Sequence, residues 1–132
     1  MSTPHRAGLF VLTILTLSAC DQSRLSKCQE FSRSIAETGS AVMHHPLDSA
    51  RFEAILTRAD GQIATLSGVP ELDQAKGVYK DKMRAAIAKA TRASATDSRP
   101  ARIDANASAR ADAANATYHL MESTNLHCSG ER

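Results

Sequence analysis

LSKCQEFSRSIAETGSAVM, residues 25–43, carries the pattern from which the fold class follows. In it Leu25, Cys28, Phe31, Ile35, Thr38 and Val42 recur at steps of three and four, the spacing of one face of an α-helix. His44-His45-Pro46 ends the pattern, because a residue ahead of proline is pushed out of helical geometry. A strand would need strict alternation, and no alternating run of useful length occurs in the chain; nor does an internal repeat.

The same period returns three more times along the chain. Asp48 is placed to cap a second helix, with Leu47 and Phe52 as its hydrophobic staple. Its expected buried face is Phe52, Ile55, Leu56, Ala59, Ile63 and Leu66. Gly68 suits a left-handed stop and Pro70 the first position of a third helix, whose stripe is Leu72, Ala75, Tyr79, Met83, Ala86, Ile87 and Ala90. Glu71 and Asp73 favour its start by charge, and Lys89 and Arg92 its end. Thr96 to Pro100 makes the next break, with Ser98 or Arg99 ahead of a first-turn proline. The fourth segment is alanine-rich, and its larger residues phase the stripe as Ile103, Ala107, Arg110 or Ala111, Ala114, Tyr118 and Met121. Alanine forms helices well but buries little area, so this helix should pack closely and hold weakly. Gly130 follows its end.

Upstream, a basic start at His5 and Arg6 precedes an apolar run from Ala7 to Ser18, twelve residues long and too short to span a bilayer. It ends in Leu17-Ser18-Ala19-Cys20, which resembles a bacterial lipobox: leucine at −3, small residues at −2 and −1, then the cysteine that receives lipid. The resemblance implies a lipoprotein, cut by a signal peptidase between Ala19 and Cys20 and carrying diacylglyceryl and N-acyl chains such as palmitate on Cys20. Asp21 resembles the inner-membrane retention signal of enteric bacteria, so the periplasmic face of the inner membrane is favoured and the outer membrane stays open.

Removing the first 19 of 132 residues leaves 113, enough for one domain with a modest core. Without Arg6 the Lys+Arg count falls from 16 to 15, against 14 Asp+Glu. That near-neutral balance argues against a nucleic-acid partner. No second apolar run of membrane-spanning length follows. With no tryptophan, and Phe31, Phe52, Tyr79 and Tyr118 as the aromatic residues of the mature part, a base- or sugar-stacking surface is disfavoured.

If Cys20 carries lipid, Cys28 and Cys128 remain of the three cysteines. In an exported protein an even pair reads as a disulfide; free or metal-binding thiols are the alternative, without a CxxC to support them. In a bundle that reverses at every turn, an even number of helices brings the start of the first and the end of the last to one pole. Four helices and the Cys28–Cys128 bridge therefore support each other.

Chemistry-bearing groupings are sparse. His44 and His45 adjoin at a turn, but neighbouring helical side chains diverge by about 100°. There is no nucleophile elbow, no serine followed three residues on by lysine, and no glycine-rich phosphate loop. Arg92, Arg99, Arg102 and Arg110 cluster by sequence, but Asp97, Asp104 and Asp112 are interleaved, giving a mixed solvated surface.

The resulting expectation is an all-α, up-down-up-down four-helix bundle after a cleaved signal peptide, closed by one disulfide. Its organisation is a signal peptide at 1–19, a lipidated tether at 20–27, the bundle at 28–128 and a tail at 129–132. Extended to Lys27, the tether would reach about 25 Å. The layout is similar to that of small helical bacterial lipoproteins, which implies a non-enzymatic, membrane-anchored protein that meets an envelope partner. It implies neither metal nor cofactor. A periplasmic carrier of a small ligand or metal, using the bundle interior with Tyr118 or His119 turned inward, is the alternative.

Overall fold

The computed structural model describes residues 10–44 and 49–130, with side chains described from Gln22 onward except Ser49. Four helices follow in order: α1 (Phe10–His44), α2 (Ser49–Thr65), α3 (Asp73–Ser94) and α4 (Arg99–Ser129); a single 3₁₀ turn, Pro70–Leu72, leads into α3. Among the described residues there is no strand. The expected Asp48 cap, the Leu47 half of the staple, and His45-Pro46 lie outside the described residues.

The first three apolar stripes form one core. Phe31, Ile35 and Val42 of α1 join Phe52, Leu56, Ile63 and Leu66 of the α2 segment and Leu72, Tyr79, Met83, Ala86 and Ala90 of the α3 segment. Ile55 and Ile87 are half-buried at its edge. Gly68 takes the left-handed conformation (φ 92°) in the turn that follows α2, three residues past its end at Thr65, and a Cβ there would run into the Lys27 side chain. Pro70 opens the 3₁₀ turn, so α3 proper starts three residues after the proline and not on it. At the next break Ser98 is the cap: its hydroxyl accepts from the Ala101 N–H at 3.4 Å, and its carbonyl from Arg102 N at 3.0 Å. Gly130, with φ 76°, closes α4.

The expectations for α4, for Leu25 and for residues 20–27 differ from the structure. The buried face of α4 is Asn106, Ala109, Ala113, Ala116, Thr117, Leu120 and Thr124, while Ile103 and Tyr118 are 44% and 57% exposed. Alanine occupies both sides of this helix, so the two large residues set the phase of the stripe, and they lie outside. The inner side must be small because α4 packs tightly between α3 and α1: a Cβ on Gly39 of α1 would stand 3.3 Å from Thr117 Cγ2. The buried hydroxyls of Thr117 and Thr124 donate to the carbonyls of Ala113 and Leu120, each at 2.8 Å, so neither is left unsatisfied.

Leu25, expected in the α1 stripe, is 56% exposed. Cys28 pairs with Cys128, and α4 ends at Ser129, so the turn of α1 before Cys28 stands beyond the helix that would cover it. Residues 20–27, expected as a tether, are helical and continuous with the rest of α1.

Gly61 and Gly77 sit inside helices, and a Cβ at either meets nothing within 4 Å. Gly61→Ala and Gly77→Ala are each expected to stabilise the fold by about 1 kcal/mol, read as a rise in urea midpoint at unchanged slope. Gly39→Ala, which presses on Thr117, should give less or the opposite sign.

Candidate functional site

A cluster of charged groups lies at the pole where the chain is tied together. Cys28 and Cys128 form a disulfide with Cα atoms 5.9 Å apart, closing a separation of 100 residues. Cys28 faces the core from the α1 stripe, and Cys128 is in the last turn of α4. Beside the bridge an open cleft of about 880 Å³ separates α1 from the 68–71 turn and the end of α4.

Three segments supply its charged groups. Arg24 and Lys27 come from the exposed turn of α1, Glu71 from the 3₁₀ turn, and His127 from α4. Arg24 Nη2 donates to the His127 carbonyl at 3.0 Å, which bridges α1 and the last turn of α4. His127 Nε2 stands 4.0 Å from Glu71 Oε2, an ion pair when the imidazole is protonated. Lys27 lies over Gly68. Cations thus outnumber the single carboxylate lining this cleft among the described residues, and the arrangement can hold an anion by charge and hydrogen bonding. A shallower groove of about 370 Å³ continues from Glu71 and His127 between α3 and α4, with Val78, Ala116 and Leu120 in its wall.

Cys20 and Ala19 lie within α1 by backbone; their side chains are not described. His44, at the other end of α1, has its Nδ1 3.0 Å from the Ser40 carbonyl, and its neighbour His45 is outside the described residues. His119 stands edge-on to Tyr118, centroids 5.8 Å apart, and 3.7 Å from Glu122. Among the described residues no three His, Cys, Asp or Glu side chains gather where they could share a metal ion. The arginines clustered by sequence do not act together. Arg102 donates to the Thr96 carbonyl at 3.2 Å, tightening the α3–α4 turn, and the Arg110 guanidinium lies over the Phe52 ring at 5.4 Å. Asp112 instead pairs with Lys89, which also donates to Ser108 at 2.9 Å.

One ionisable group is strongly perturbed. Tyr79 is 2% exposed, and burial first, then the Asp60 charge, raises its phenol well above its ordinary value of 10.0. Its hydroxyl has no hydrogen-bond partner among the described residues. The neutral phenol is the form that fits the fold, so this contribution is complete below pH 10 and declines as rising pH ionises the unfolded chain's tyrosine. Tyr79→Phe is therefore expected to leave stability unchanged or raise it by about 1 kcal/mol near neutrality. It should also remove part of the alkaline loss, seen by comparing urea midpoints at pH 8 and above pH 10.

Sequence reasoning paired the cysteines but missed Arg24, Lys27, Glu71 and His127 as a group. The available signal was adjacency: Arg24 and Lys27 precede one paired cysteine, and His127 immediately precedes the other. No helix among the described residues is long and apolar enough to cross a membrane. Compared with protein-family models, curated proteins and solved structures, the chain matches none.

Proposed function

We propose that this chain is a bacterial lipoprotein, held at the periplasmic face of a membrane by acyl chains on Cys20, whose helical bundle works by contact with another envelope component and not by catalysis. The observation that carries this reading is Leu17-Ser18-Ala19-Cys20 at the end of a basic-then-apolar leader. Two or more acyl chains distinguish stable from marginal attachment. Asp21 favours the inner membrane.

The bundle is read as up-down-up-down. Supporting contacts join mid α1 to late α4 (Cys28–Cys128), late α3 to early α2 (Ser94–Glu53), and late α3 to the first third of α4 (Lys89–Ser108). That order puts both ends of the domain at the anchored pole and leaves the far pole and the outer helix faces free to meet a partner. The carrier alternative needs Tyr118 or His119 turned inward; both are exposed, and no observation favours it.

Growing cells on a labelled fatty acid tests the anchor. The parent should take label and sediment with membranes, and Cys20→Ser should do neither. An unlabelled parent overturns the reading. Cross-linking in intact cells then tests the contact role, which requires a specific envelope protein to be captured reproducibly.

A further inference from the structure

We infer that the disulfide end of the bundle is itself a membrane-docking face, seated on a bilayer surface that bears anionic headgroups. This rests on the Cys20 anchor proposed above and adds to it a fixed orientation of the domain. The first observation is the continuity of α1. It runs unbroken from Phe10 to His44, so Cys20 is joined to the bundle by helix and not by a slack leash. At about 1.5 Å per residue, Arg24 stands roughly 6 Å along the axis from Cys20 and Cys28 roughly 12 Å. A lipid on Cys20 would therefore keep this pole no further than about 12 Å from the headgroups, close enough for surface charge to draw it onto them.

The second observation is what the pole presents. Arg24 and Lys27 are exposed cations on that turn, and Glu71, faced by His127, is the one carboxylate lining the cleft among the described residues. Basic groups this close to a membrane are attracted to anionic lipid, and their long stems let the charge reach a phosphate while methylenes lie against apolar surface.

The third is apolar. Leu25 is 56% exposed and Leu126 is 49% exposed. The hydrogen bond from Arg24 to the His127 carbonyl puts these two leucines at the same end of the molecule. Leucine beside Arg and Lys at a helix end is the composition of an interfacial contact, in which the leucine enters the acyl boundary. Exposed leucines and cations thus coincide with the place where an anchored chain would meet its membrane. The occupant is a bilayer because a lipid on Cys20 would bring one to this pole.

The chain has no tryptophan, so Leu126→Trp and Met43→Trp each install a single reporter, one at this pole and one at the far end of α1. The full precursor is expressed in a bacterial host, and the intact mass of the mature product reports acylation. The product is then placed in nanodiscs of phosphatidylcholine and phosphatidylglycerol with brominated acyl chains. The expected result is a blue-shifted Leu126→Trp emission quenched about twofold or more, with Met43→Trp at its solvent value. Adding Arg24→Glu and Lys27→Glu, or omitting phosphatidylglycerol, should restore the emission, with circular dichroism and blocked thiols showing that the fold and bridge persist. An acylated protein with unquenched Leu126→Trp overturns the docking face and leaves the anchor standing. A native mass showing an acylated dimer without quenching does the same in favour of a self-interface. Quenching indifferent to both charge reversal and phosphatidylglycerol overturns the anionic-headgroup chemistry. A product without acyl mass overturns the anchor, and the docking face with it.

Discussion

Cys28→Ser combined with Cys128→Ser is expected to cost the folded chain up to about 4.7 kcal/mol, the chain-entropy value for a closed loop of about 100 residues. The bridge joins residues 100 positions apart, so nearly the whole described bundle lies inside the loop it closes. Without it the unfolded chain regains that freedom, while the native core keeps Phe31, Ile35, Leu56, Met83 and Leu120 in place. A domain of this size has only about 5–15 kcal/mol to lose. At roughly 4–8 °C per kcal/mol, the melting temperature should fall by some tens of degrees. Thermal unfolding of the double variant against the oxidised parent measures this. A shift of only a few degrees would mean that loop closure contributes little and that the helices hold each other unaided.

Phe52→Ala is the second large effect. Phe52 is 1% exposed in the shared core, and removing a buried ring costs about 3–5 kcal/mol through lost transfer energy and the cavity left behind. A further loss comes from Arg110, whose guanidinium lies over the ring at 5.4 Å and so ties α4 to α2. Cation–π contacts of this kind contribute about 0.5–1 kcal/mol at exposed sites and more when desolvated. Phe52→Leu keeps most of the volume and isolates that second part. A double-mutant cycle of Phe52→Leu with Arg110→Gln should return a coupling of that order, and additive single effects would show the ring contact to be energetically idle. Both changes are read from urea midpoints with the disulfide intact.

How much of the fold was legible depended on side-chain size. In α2 and α3 the large apolar residues Phe52, Leu56, Ile63, Tyr79 and Met83 recur at helical steps, and all five are buried. In α4 the same logic followed Ile103 and Tyr118 to the wrong side, because alanine marks neither face and the demand for small residues arises only where α1 and α3 crowd the helix. Leu25 failed for a different reason. Its spacing is right, but the neighbouring helix stops too soon to cover it, and spacing carries no information about where a partner ends.

The candidate site divides in the same way. Counting cysteines identified the pair that the structure joins. The cleft beside it draws Arg24 and Lys27, Glu71 and His127 from three segments far apart in the chain, and polar residues at helix ends follow no period. Their meeting is a product of the fold.

The disulfide also decides how the molecule bears load. Tension applied from the N-terminal side enters α1 and at Cys28 divides between α1 and α4 through a covalent bond. Pulling α1 lengthwise out of its neighbours would require α4 to be drawn along with it, so two helices must slide at once where one would otherwise strip away. In the reduced chain the same pull peels a single helix.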